Sequence, residues 1–208
     1  MKDLFVLTAD ADALALIGAV LSRPDDLGIR PITFDADRHT GRDPGMVRDG
    51  PELIRMQAAK TAFECVMLVW DHQGSGWEAK SSSAARDQVR LRLDQVSWKD
   101  RSEAVVIVPE LEEWIWHDPV AVTTQLGITE RGLQGSLETF ARRTRRDVGA
   151  CLSRSPKKAF EHALYLVSRR KPLMRDFEKI GLAADLGRWL ASESFARFAT
   201  TLREWFPC

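Results

Sequence analysis

Long apolar runs, clustered cysteines and the common nucleotide-binding signatures are all missing from this chain of 208 residues. Without a stretch of about 18 or more apolar residues, a membrane span is not expected. The three cysteines, Cys65, Cys151 and Cys208, are scattered and odd in number. They form no CxxC or Cys/His grouping, so neither a disulfide framework nor a zinc site is expected, and a reducing cytoplasm is the expected setting. His39, His72, His117 and His162 show no metal-ligand spacing. No GxxxxGK(S/T) loop is present, which excludes a P-loop nucleotidase. "GSGW" at 74–77 lacks the flanks of a GxSxG elbow. Internal repeats and low-complexity segments are also lacking. The opening "MKDLFVLTADAD" reaches acid within a few residues of its apolar run, which reads as a first strand rather than a signal peptide.

What is present is an ordinary globular composition, 44% hydrophobic and 29% charged, long enough for one sizeable domain or a domain with a small lobe. A net charge of zero hides an asymmetry. Residues 1–130 hold 14 Lys/Arg against 22 Asp/Glu, whereas residues 131–175 hold 12 basic against 3 acidic. An acidic half followed by a basic belt fits an anionic partner beside a cation-binding site. Two halves that simply attract each other fit it as well.

Four short apolar runs punctuate the first half: "LFVLT" (4–8), "IRPITFD" (29–35), "CVMLVWD" (65–71) and "AVVIVP" (104–109). Continuous apolar runs of this length suit strands covered on both faces. Helical patterns separate them, among them "DALALIGAVLSR", with Leu14, Ile17 and Leu21 on one stripe, and "SSAARDQVRLRLDQVSW", with Val89, Leu93 and Val96. This alternation predicts an α/β fold with a mainly parallel four-stranded sheet flanked by helices. Beyond about residue 110 the strand signal ends. "SPKKAFEHALYLVSR" offers Ser155 as N-cap and Pro156 at the first helical position, and "ESFARFATTLREWF" carries core aromatics at helical spacing. The expected organisation is an α/β core over residues 1–118 and a helical C-terminal region over 119–208 packed on it. "HTGRDPG" reads as a loop.

Ligands of open parallel sheets bind beyond the carboxyl ends of the strands. Each expected strand is followed there by acid: Asp10 and Asp12, then Asp35, Asp37 and His39, then Asp71 and His72, then Glu110, Glu112 and Glu113. Crowded carboxylates raise one another's pKa unless a cation neutralises them, and hard divalent ions take oxygen ligands. Each acid also has a local explanation. Asp12 suits a helix start, Asp35 and Asp37 suit a turn, and the glutamates after Pro109 suit the first turn of a helix. Asp71, closing the most hydrophobic strand, has the least reason to be there for folding alone. On a helix Leu111, Trp114 and Ile115 form the apolar stripe, Glu110 and Glu112 lie about 200° apart, and Glu113 faces solvent. His39 and His72 are further candidates for acid/base work.

The order strand–acid, strand–acid, strand–"DHQ", strand–"PELEEW" resembles the TOPRIM fold. It is similar to the stand-alone TOPRIM-like proteins related to the OLD nucleases, found near bacterial phage-defence genes. It is also similar to an accessory protein of methylation-associated defence systems. The "PE-x-E-x-W" motif stands here as Pro109, Glu110, Glu112 and Trp114. The resemblance implies Mg²⁺- or Mn²⁺-dependent phosphodiester chemistry, with Asp10, Asp12, Asp71 and Glu110 as catalytic acids and Asp71, Glu110 and Glu112 as metal ligands. Nucleic acid would lie along Arg142, Arg143, Arg145, Arg146, Lys157 and Lys158. The chain departs from the pattern twice. The glutamate expected after the first strand falls on Thr8, and the second aspartate of "DxD" falls on Gln73. These departures open an alternative, a catalytically degenerate subunit that binds other defence proteins, with some of the seven tryptophans as interface anchors.

Overall fold

A computed structural model describes residues Met1–Cys208. The first strand β1 (Lys2–Thr8) leads through helices α1 (Ala11–Leu21) and α2 (Pro24–Leu27) to β2 (Phe34–Arg38). Helices α3 (Arg42–Arg48) and α4 (Gly50–Ala58) precede β3 (Phe63–Asp71), and α5 (Ser82–Gln95) precedes β4 (Ser102–Ile107). After β4 the chain is wholly helical. A short α6 (Glu112–Ile115) is followed by α7 (Pro119–Leu126), α8 (Glu130–Thr144), α9 (Val148–Arg154) and α10 (Pro156–Ser168). The remainder is α11 (Met174–Ala183), α12 (Leu186–Trp189) and α13 (Glu193–Trp205). The four strands form one all-parallel sheet in the order β2-β1-β3-β4, as the strand–helix alternation predicts. No helix is long and apolar enough to cross a membrane.

The continuous apolar runs of β1, β3 and β4 are explained by burial on both faces. Alternate residues Leu4, Val6, Met67, Val69, Val105 and Ile107 enter the larger core, under α1 and the C-terminal helices. Their neighbours Phe5, Leu7, Val66, Leu68, Ala104 and Val106 enter a smaller core with Met46, Val47, Ile54, Val89 and Leu93 of α3, α4 and α5. The second strand is a correction. It begins at Phe34 rather than near Ile29, because the apolar residues before it pack in the lead-in segment, where Pro31 has no N–H to give a ladder. As the edge strand it alternates, Phe34 and Ala36 inward, Asp35 and Asp37 outward. Those two aspartates therefore lie within the strand and not beyond it. Asp35 pairs with Lys2, and Asp37 Oδ1 accepts from its neighbour Arg38 N at 2.7 Å.

The C-terminal helices share the larger core with the sheet. Trp114 of α6 is fully buried among Trp189, Phe195 and Phe198, and its indole N–H donates to Ser194 Oγ at 2.7 Å. Truncating an aromatic anchor of this kind costs about 3–5 kcal/mol. Gly181 of α11 lets that helix meet α1 closely, since a Cβ there would stand 2.9 Å from both Ala19 Cβ and Leu16 O. Ser155 is the N-cap residue of α10 with Pro156 at its start, but the Ser155 side chain makes no capping hydrogen bond. The packing brings the first turn of α10 over the carboxyl ends of the strands, where the site lies.

Candidate functional site: an acidic crater beside a basic groove

Four chain segments deliver acid to the carboxyl edge of the sheet. Beyond β1, Asp10 caps α1 by accepting from Ala13 N at 2.9 Å, and Asp12 occupies the first turn. Thr8 itself is fully buried and its hydroxyl donates to the carbonyls of Asp10 (3.1 Å) and Asp37 (3.3 Å). Beyond β2 comes Asp43, in the first turn of α3, whose Oδ1 accepts from Asp71 N at 2.9 Å. Asp71 ends β3. Beyond β4, the chain turns so that both Glu110 and Glu112 are buried, at 8% and 2% exposure.

Desolvation and crowding set the protonation of this group. Burial, then the charges of Asp43, Glu112 and Asp10, push the Asp71 carboxyl well above the ordinary aspartate range. Burial also raises Asp12 and Asp43, with Asp10 adding to both. Glu112 is pushed up to about 7, chiefly by burial, with Lys157 pulling the other way. Burial raises Glu110 as well, against the Lys157 ammonium, the Lys157 backbone N–H and Lys158.

Lys157 is the cation of this cluster. Burial acts to lower its pKa, but Glu112, Asp71, Asp10 and Glu110 outweigh burial and hold the ammonium above the ordinary lysine value. Even so, no ion pair within 4.0 Å joins Lys157 to any of them. Glu112 Oε2 has no hydrogen-bond partner at all. A cavity of about 480 Å³ opens above Asp10 and Asp12, with Arg38, His39, Arg42 and Lys157 around it. Surplus negative charge thus remains under a partly cationic rim.

The structure brings Asp10, Asp12, Asp71, Glu110 and Glu112 into one electrostatic neighbourhood and adds Asp43, which lies in α3 where "HTGRDPG" predicts a loop. An acid beside Pro44 in "HTGRDPG" carries no signal of its approach to Asp71. Glu113, expected to face solvent, is partly buried instead, where Ser192 Oγ donates to its Oε2 and His117 Nε2 lies 2.6 Å from its Oε1. Its expected helical phase fails because the turn is tighter than an α-helix, with Glu113 N donating to Glu110 O and Trp114 N to Leu111 O. Each candidate histidine has one ring nitrogen engaged by the backbone. His39 Nδ1 accepts from Gly41 N, and its Nε2 lies 3.1 Å from Asp49 Oδ1 without hydrogen-bond alignment. His72 Nε2 lies 3.1 Å from Lys80 O.

The basic residues divide. Arg143, Arg146 and Lys158 line a groove of about 750 Å³ together with Tyr165, His162 and Lys171. Arg142 and Arg145 are exposed but do not line it; Arg142 donates to Thr139 and Arg145 ends α8 in the left-handed region. Lys157 turns to the crater and its neighbour Lys158 to the groove, as successive helix positions about 100° apart allow. Glu110 feels both lysines, so the crater and the groove meet at the start of α10.

No group of three or more His, Cys, Asp or Glu side chains is arranged as it stands to hold a metal ion. Mg²⁺ does not require one. It keeps several waters and binds through one or two carboxylates plus substrate phosphate. An orphaned buried carboxylate oxygen on Glu112 beside Asp71 fits that donor chemistry. No family model, curated protein or solved structure matches the chain.

Proposed function

We propose that the chain is a TOPRIM-like protein of bacterial anti-phage defence that cleaves nucleic-acid phosphodiesters with Mg²⁺ or Mn²⁺ held in the acidic crater. One observation carries the reading. Several desolvated carboxylates with raised pKa values, under-neutralised by Lys157, adjoin a basic groove. Perturbed groups of this sort gather at functional sites. Asp71 and Glu112 would hold the metal, with Glu110 and either Asp10 or Asp12 supporting them. When bound, such an ion orients water and stabilises charge developing on phosphate.

The chain's own groups do the rest. Arg143, Arg146 and Lys158 hold the phosphate backbone alongside. Burial pushes Glu112 up to about 7 in the metal-free protein, so a cation bound there would displace a proton near neutral pH. The buried walls of Leu111 and Trp114 fix the turn that carries both glutamates. Incubating purified protein with DNA and RNA plus Mn²⁺ tests the proposal. Cleavage that chelator stops and Asp71→Asn abolishes is expected; intact nucleic acid under every condition overturns it.

A second reading has its own observations. The Thr8 hydroxyl is spent on backbone carbonyls, and Lys157 already brings one positive charge to the crater. These favour a degenerate subunit that binds partner proteins of a defence complex and performs no chemistry. Salt-sensitive nucleic-acid or partner binding, indifferent to chelator and without metal uptake, would single it out.

A further inference from the structure

We infer that the basic groove takes single-stranded nucleic acid, whose unpaired bases stack on Tyr165 while the cations around it hold the phosphates. The inference rests on the groove being the nucleic-acid path and names the strandedness of what lies in it. Charge supplies the first half of the argument. Arg143, Arg146, Lys158 and Lys171 all line the groove, against the single carboxylate of Glu161. None of the four makes an ion pair within 4.0 Å, and the Arg146 guanidinium reaches only Ser155 Oγ, at 3.4 Å. Cations left without partners along one groove fit a chain of phosphates.

Charge alone would suit a duplex as well as a single strand, and the ring decides between them. Tyr165 is the chain's one tyrosine, and it is 55% exposed. All seven tryptophans and nine phenylalanines are buried or half-buried, so this is the only aromatic ring the chain leaves in solvent, and it lines the basic groove. Packing does not call for it there, because α10 meets the core through Phe160, Ala163 and Leu164. On the helix, Lys158, His162 and Tyr165 follow one another at one-turn spacing, which sets a cation and two rings along one wall. The His162 ring lies against Phe140 at 5.3 Å, and the Arg169 guanidinium stands 5.7 Å from the centre of the Tyr165 ring. Bases of a single strand stack on exposed aromatic rings whatever their sequence, and arginine adds to such stacking. In a duplex the base faces are already covered by their neighbours and have nothing to offer the ring.

The test is fluorescence anisotropy of the full chain at low salt with labelled oligothymidine, oligouridine and a mixed-sequence duplex, each about 15 nucleotides or base pairs long. Wild type is compared with Tyr165→Ala, Tyr165→Phe and Lys158→Ala. Tyr165→Ala is expected to weaken binding of both single strands by about tenfold or more and to leave duplex binding unchanged. Tyr165→Phe, which keeps the ring, should bind all three as wild type does. Lys158→Ala should weaken single strand and duplex alike, since it removes a phosphate contact. Single-strand affinity undiminished in Tyr165→Ala, or lost equally from the duplex, overturns the inference and leaves a groove that reads charge alone. No binding of any of the three by wild type overturns this inference and the nucleic-acid reading of the groove together. Single-strand binding that needs the ring, in a protein that cleaves nothing with Mn²⁺, upholds the inference and overturns only the cleavage.

Discussion

The two ends of the sheet treat the same residue types in opposite ways. At the amino end, acids are matched. Asp3 receives hydrogen bonds from Arg30 and Thr33, which hold its carboxyl well below the usual range. Asp35 pairs with Lys2, and Glu103 takes a two-pronged contact from Arg86 at 2.9 and 3.2 Å. At the carboxyl end, Asp71, Asp43, Asp12, Glu110 and Glu112 are all raised by burial, and their one interior cation stands off from them. Charges at the first end favour folding, whereas those at the second oppose it. Carboxylates perturbed in this way gather at functional sites, and the proposed cation site draws on that contrast.

Substitutions of matched chemistry at the two ends should therefore shift stability in opposite directions. Glu103→Gln is expected to destabilise by about 3 kcal/mol, since it leaves the Arg86 guanidinium without its carboxylate. Denaturant unfolding at pH 8 measures this. Glu112→Gln is expected to stabilise the metal-free protein at pH 8 by as much as about 3 kcal/mol, the worth of a carboxyl moved from 4.5 to about 7. The sign follows from linkage. Between those two values the folded chain holds a proton that the unfolded chain has released, so wild-type stability falls as pH rises through the window and Glu112→Gln flattens the fall. By the same linkage, Mn²⁺ affinity should drop as pH falls below 7, because a proton competes for Glu112. Equal slopes in the two proteins would remove the contrast between the ends of the sheet. The smallest expected effect lies in the groove. Arg146→Ala should weaken nucleic-acid binding across sequences and reduce the salt slope by about one, read from titrations at several salt concentrations.

How much of this is legible in the chain depends on how local each feature is. The strands β1, β3 and β4 are readable because burial on both faces leaves no polar residue in their middles. The edge strand β2 is misplaced by a few residues because its "FDADR" alternates, while the apolar Ile29 and Ile32 lie in the segment before it. Asp71, Glu110 and Glu112 are visible as acids after apolar runs. Asp43 is not, since its relation to Asp71 is a tertiary hydrogen bond across 28 residues. Nor does composition separate Lys157 from Lys158, because the direction of each depends on how α10 docks against α6 and α8. The tight turn after Pro109 explains the remaining miss, exchanging the expected solvent position of Glu113 for contacts with Ser192 and His117.

The central claim is that the crater takes a divalent cation, and diffraction from crystals soaked in Mn²⁺, recorded near the manganese absorption edge, tests it most directly. The account predicts one anomalous peak within about 2.5 Å of carboxylate oxygens of both Asp71 and Glu112, with water completing its shell. An empty crater in which the Lys157 ammonium contacts those carboxylates directly would contradict it.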